Sequence, residues 1–240
     1  MTKLSAVQET YKKNALALIA ASPATAQTLA ATYQKHFSTT VAGARAKYAS
    51  LAGSVNSELD QTIETTIDAV DAVMDDLNTL MRYISLTIPK MEDGGNWGVS
   101  IQLEAIKAMQ DAQDKLTKAA EEVSKYASSR ADVLEKCKFP SQTISVTSTD
   151  GTSNTTEKGD AKETRKTTET KETTTSLSPV EANYRQAAVV ACDVLYYGKA
   201  KGLFQLCLSS YLNAMDFCDK NAEKIEKPKG STGSGPSSMY

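Results

Sequence analysis

Histidine occurs once in this chain, at His36, and tryptophan once, at Trp97. A single histidine excludes a histidine metal cluster and makes any Ser–His or Cys–His nucleophilic site depend on one residue in a polar, helix-like stretch. The four cysteines, Cys137, Cys192, Cys207 and Cys218, lie far apart with no C-x-x-C spacing. That argues against a zinc knuckle or a dithiol redox motif and leaves them as small buried hydrophobes suited to a reducing compartment. Aromatics are only 6% of the chain and prolines number 6, which favours helices over sheets. With a formal charge of -2 and no strongly basic stretch, nothing points to DNA or RNA. No continuous run approaches the ~18 apolar residues of a membrane span. Lys12-Lys13, the alanine-rich 15–21 and Ala24-Thr25-Ala26 imitate a secretory leader, but the apolar run is short and Glu9 precedes it, so a helix is expected there. The glycines at 94, 95 and 98 lack the Lys-Ser/Thr of a phosphate loop, and the paired acids Asp75-Asp76 and Glu121-Glu122 read as solvated helix faces. The expectation is a non-enzyme with no metal, nucleotide or other cofactor.

What is present is helical periodicity. The first pattern runs over about 3–48, alanine-rich, with Pro23 and Gly43 marking a kink or break. The second carries Val55, Leu59, Ile63, Ile67, Val70, Met74, Leu77, Leu80 and Ile84 at spacings of three and four, and should stop near Ile88 before Pro89. The third runs over about 99–137 with Ile101, Ala105, Met109, Ala112, Leu116, Ala119, Val123 and Tyr126 on one stripe, roughly 60 Å of helix. Residues 141–177 are nearly all Ser, Thr, Lys, Glu and Asp; a segment that cannot bury apolar surface is expected to be disordered, an insert between the third and fourth helices.

The fourth helix opens on Ser178-Pro179-Val180-Glu181, a hydroxyl cap, a proline at the first position and a glutamate that can bond back. Val180, Tyr184, Ala188, Ala191, Leu195, Leu203, Leu206, Met215 and Phe217 are its expected apolar members, with Gly198 and Gly202 read as points of close helix approach or a kink. Pro228 ends it. Residues 229–240 then form a Gly/Ser-rich tether tipped by Met239-Tyr240.

The second and third helices meet at a tight corner, I-P-K-M-E-D-G-G-N-W-G-V-S-I-Q over 88–102. Pro89 and the glycines reverse the chain within about ten residues, so the two helices run antiparallel. Glu92, Asp93, Asn96 and Trp97 in such a corner suit contact with a partner as well as packing within the loop.

E-D-G-G-N-W-G-V-S-I-Q resembles the activation loop of the 11S proteasome activators, the REG family, which joins their second and third helices. The likeness continues through Leu116 and Val123-Ser124-Lys125-Tyr126, with Ser128, Arg130 and Asp132 in phase, and returns at 220–230 and in the terminal Met239-Tyr240. It implies an all-α, elongated, antiparallel four-helix bundle of up-down-up-down topology, a single domain over 1–240, assembling into a ring of about seven copies. It also implies an ATP-independent activator of the 20S proteasome in the cytoplasm, the nucleus or both. Ser238, Met239 and Tyr240 would dock between alpha subunits, and Glu92, Asp93, Gly94, Gly95, Asn96, Trp97 and Gly98 would form the gate-opening loop. The insert departs from the mammalian pattern, in which a flexible insertion joins the first two helices.

Helix count alone predicts the geometry: with short connections, the 88–102 corner and both termini fall at one end of the bundle and the 141–177 insert emerges at the other. The competing expectation is a helical scaffold or coiled-coil adaptor, with the loop and tail as plain punctuation.

Overall fold

The computed structural model describes residues 3–90, 97–137 and 179–228. Among these all regular secondary structure is helical. α1 spans Lys3–Phe37 and α2 Val41–Tyr48, continued by a 3-10 turn, Ala49–Leu51; α3 spans Ser57–Thr87, α4 Trp97–Ser124, α5 Tyr126–Lys136, α6 Pro179–Lys220 and α7 Ala222–Glu226. The result is an elongated antiparallel four-helix bundle. Its four long members are α1, α3, the nearly continuous α4–α5 pair, and α6 with its short extension α7. α3 and α6 pack across one diagonal and each also touches α1 and α4, while α1 and α4 do not meet.

The stripe expected on α3 is the buried one: Leu59, Ile63, Val70, Leu77, Leu80 and Ile84 are in the core. Val55 is the exception, 74% exposed, because it precedes the helix, whose cap is Asn56. α3 ends at Thr87 with Ile88 in an extended conformation, as the following proline requires. α4 buries Ala105, Met109, Leu116 and Val123 as its periodicity requires, and is separated from α5 by a single residue, Lys125.

Two expectations for the first helix are corrected. Pro23 does not break α1, which continues through it as helix; the Ser22 hydroxyl donates to the Ile19 carbonyl at 2.8 Å, occupying the acceptor that Pro23 has no amide to reach. The break falls at 38–40 instead of Gly43, since Thr40 caps α2 by accepting from the Gly43 amide at 3.1 Å. α1 is also long and apolar enough, by length and composition, to cross a membrane, although it holds no continuous apolar run of that length. Its apolarity is mostly alanine, and Ala15, Leu29 and Phe37 face the core.

α6 corrects the sequence reading most. Val180, Tyr184 and Leu195 are 61%, 74% and 56% exposed, and the buried row is Val189, Cys192, Tyr196, Ala200, Leu203, Cys207, Tyr211 and Cys218. A Cβ built on Gly198 or Gly202 would meet nothing, so neither marks a close helix approach, and α6 passes through both as regular helix. Pro179 opens the helix as expected.

The two ends of the bundle are tied differently. At one, Asp193 is fully buried and accepts from Arg130 Nε at 2.9 Å, Tyr126 OH at 2.9 Å and Asn56 Nδ2 at 3.1 Å. Arg130 also donates to the Ser54 and Leu51 carbonyls, and Asn56 Oδ1 caps α3 through the Leu59 amide. One carboxylate thus joins α6, α5, the turn after α2 and the start of α3. Cys137, at the end of α5, reaches the Arg185 carbonyl there, so both attachment points of the 138–178 segment lie at this end.

Candidate functional site

Of the expected loop residues, Glu92, Asp93, Gly94, Gly95 and Asn96 lie outside the described residues, as do the tail residues Ser238, Met239 and Tyr240 and the 141–177 insert. The structure does describe the roots of both loop and tail. Trp97 is the first residue of α4, two positions earlier than periodicity predicted, and Gly98 follows it, buried. The tail leaves from α7 through Lys227 and Pro228.

These roots touch. A Cβ on Gly98 would stand 2.7 Å from the Pro228 carbonyl carbon and closer still to its Cα and oxygen, all backbone atoms with little freedom to yield. Only glycine permits this approach, so the glycine nearest the helix is there for contact with the other root. One turn further along α4, Gln102 is fully buried and donates through Nε2 to the Ile225 carbonyl at 2.8 Å and to Thr87 Oγ1 at 3.2 Å. Thr87 passes its own hydroxyl hydrogen to the Ile84 carbonyl at 2.8 Å. Gln102 therefore bridges the end of α3, the start of α4 and the end of α7.

The Gln102 Oε1 is buried and, among the described residues, has no partner. An unmet buried acceptor costs about 1–3 kcal/mol, against which stands the donor that Gln102 supplies to the buried Ile225 carbonyl. Ile225 is buried beside it, and α7 packs on both α3 and α4. α1 joins the same end: Lys12 pairs with Glu226 at 2.7 Å, and Gln8 Nε2 lies 3.4 Å from the Leu86 carbonyl. Each partner of the exposed pair shifts its titration toward the charged form, Lys12 upward and Glu226 downward, the hydrogen bond being the main cause. Sequence reasoning placed the corner and termini together but singled out neither Gln102 nor the Gly98–Pro228 contact. A polar residue in an apolar row, four after the last glycine, was the available signal.

The reactive groups elsewhere are built into packing. His36 Nδ1 is 3.3 Å from Thr62 Oγ1, and burial followed by the Lys35 charge lowers its pKa. Burial pushes the Cys207 and Cys218 thiols up to about 12. Among the described residues no group of three or more His, Cys, Asp or Glu could hold a metal ion.

Fold and site together define a rod-like helical bundle with a loop root and a tail root fastened at one end. The family model for the proteasome activator PA28, C-terminal, matches residues 53–144, and over this stretch the chain is similar to that family. Proteasome activator complex subunit 3 of Homo sapiens and that of Gallus gallus are each 30% identical over 86 residues, 35% of this chain and 34% of theirs. The chain thus matches about a third of the length of these curated relatives. The crystal structure of the 11S subunit of the Plasmodium falciparum proteasome, PA28, superposes with a TM-score of 0.52 at 20% identity, covering 74% of this chain and 58% of that one. A chain from the crystal structure of an archaeal 20S proteasome in complex with mutated P26 activator gives 0.63 at 15% identity, with 96% and 98% covered. At these identities the solved structures establish the shared fold.

Proposed function

We propose that this chain is an ATP-independent activator of the 20S proteasome. Copies assemble into a ring of about seven, dock on the alpha subunits through their C-terminal tails and open the gate through the 92–98 loop. The observation that carries the reading is the contact of Gly98, which lies in the stretch matching the PA28 family model, with Pro228 at the root of the tail, because an activator must present loop and tail to the same partner surface. The attachment points of the insert at the Asp193 end, roughly 60 Å of helix away from Gly98, support it by leaving that surface unobstructed. The protein would act wherever 20S proteasomes occur, in the cytoplasm, the nucleus or both.

The deciding experiment is fluorogenic peptide hydrolysis by purified 20S proteasome with and without this protein. Stimulation is expected with no ATP present, and no stimulation at saturating concentration rejects the reading. Removing residues 238–240 should abolish binding steeply. A single short tail binds at about the millimolar level, and several on one ring raise avidity ~10²-fold or more, so losing all of them together removes nearly the whole affinity. Asn96→Tyr is expected to leave the tails intact, bind the proteasome, fail to stimulate it and compete with wild type. Equal loss of binding and stimulation would remove Asn96 from the opening step. The rival reading, a helical scaffold, predicts a monomer or dimer in light scattering where the activator predicts a ring.

A further inference from the structure

The structure assigns to Gln102, with Gly98, the role of positioning residue for the C-terminal tail: the two fix where the tail leaves the bundle relative to the helix-corner loop. They stand four apart on one face of α4, in the same row as Ala105 and Met109, so both look toward α7. Gly98 meets the backbone of Pro228, the last described residue before the tail, and Gln102 holds the Ile225 carbonyl three residues earlier. The tail root is therefore gripped at two successive points by the helix that begins immediately after the loop.

The grip is polar, and it leaves one buried acceptor unmet while it satisfies two others. Gln102 keeps one amide oxygen buried without a partner while its nitrogen serves two acceptors on two different helices. α7 is a single turn and a half, with little internal hydrogen bonding: the Ile225 amide donates to Asn221 O and the Lys227 amide to Glu223 O. An isolated helix of that length does not hold its own shape in water. Its order must come from what packs on it, chiefly α4, α3 and the Lys12–Glu226 pair. The exposed ion pair contributes weakly, which leaves Gln102 and the Gly98 contact as the specific constraints on direction.

The proteasome consequence rests on the activator reading; the local consequence does not. Gln102→Met keeps the volume and apolar contact but removes the donor and the unpartnered oxygen. Amide hydrogen exchange on the intact chain should then be at least about ten-fold faster at Ile225 and Lys227, while exchange in the middle of α3 and α6 and the urea midpoint stay near wild type. Gln102→Glu, which keeps the shape and sets a carboxylate against the Ile225 carbonyl, should loosen the same amides. Gly98→Ala should do so by displacement. In the proteasome assay Gln102→Met should need several-fold more protein for half-maximal stimulation. Unchanged exchange at Ile225 and Lys227 in all three variants overturns the assignment, and so does a uniform rise across α3 and α6, which would make Gln102 a general stabiliser. Wild-type protein that fails to stimulate the proteasome sinks the activator reading while the exchange result stands or falls by itself.

Discussion

Asp193 shows how much one side chain can organise. Its carboxylate is sealed from water and answered by a guanidinium, a phenol and an amide drawn from α5 and the segment before α3. Arg130→Met removes the guanidinium and leaves a buried charge short of its cation, a change expected to cost about 3–5 kcal/mol in urea unfolding. Replacing both, Arg130→Met with Asp193→Leu, should cost less than the sum of the single changes, because no buried charge then remains. The thiols make a separate prediction. Folding raises Cys207 and Cys218 from an ordinary 9.0 to about 12, so the native protein retains protons that the unfolded chain releases. Their contribution is complete below pH 9 and falls as pH climbs toward 12. Urea midpoints taken between pH 8 and 11 should decline, and less steeply in a Cys207→Ala, Cys218→Ala double variant. Tyr48 and Tyr126, also raised by burial, will keep some slope in that variant.

At the scale of the element, α1 carries a proline it does not need for its fold. Pro23 removes the amide that would bond the Ile19 carbonyl, and Ser22 fills the vacancy from the preceding position. Pro23→Ala should stabilise the bundle by about 1–3 kcal/mol in urea unfolding, since it restores a helix bond and removes a ring clash. Ser22→Ala should cost about 1 kcal/mol in the natural background and much less beside Pro23→Ala. α3 and α4 were legible because each has one apolar stripe set against a polar face, so spacing alone selects the buried side. α6 was not. It is apolar on nearly every side, and the row Val180, Tyr184, Ala188, Ala191, Leu195 has helical spacing as good as that of the row the fold buries. The choice was made by α5 and by Asp193, whose position on α6 no periodicity reveals.

The exposed row on α6 has a consequence for the whole molecule. Val180, Tyr184 and Leu195 leave a row of apolar surface on the outside of one subunit, and α1 adds exposed Val7 and Leu16. In the proposed ring such surface is covered by neighbouring copies, so Tyr184→Glu with Leu195→Asp should shift light scattering from a ring to smaller species while circular dichroism keeps its helical signal. An unchanged ring would clear this face of any part in assembly. Replacing 141–177 with a short Gly-Ser linker should leave ring size and proteasome stimulation near wild type, and loss of assembly would make the insert structural.

The sequence by itself determined the helices, the antiparallel corner at Pro89 and the end of the bundle at which the roots of loop and tail gather, because proline, glycine and a three-to-four spacing act locally and helix number then limits the topology. It also carried the resemblance in 92–102, in residues that speak of a partner. Only the tertiary structure decided which face of α6 is inside, that Gly98 is small because Pro228 lies on it, and that Gln102 holds Ile225. These are contacts between residues sixty to more than a hundred positions apart, and a pattern read along the chain holds no record of which distant backbone will arrive beside it.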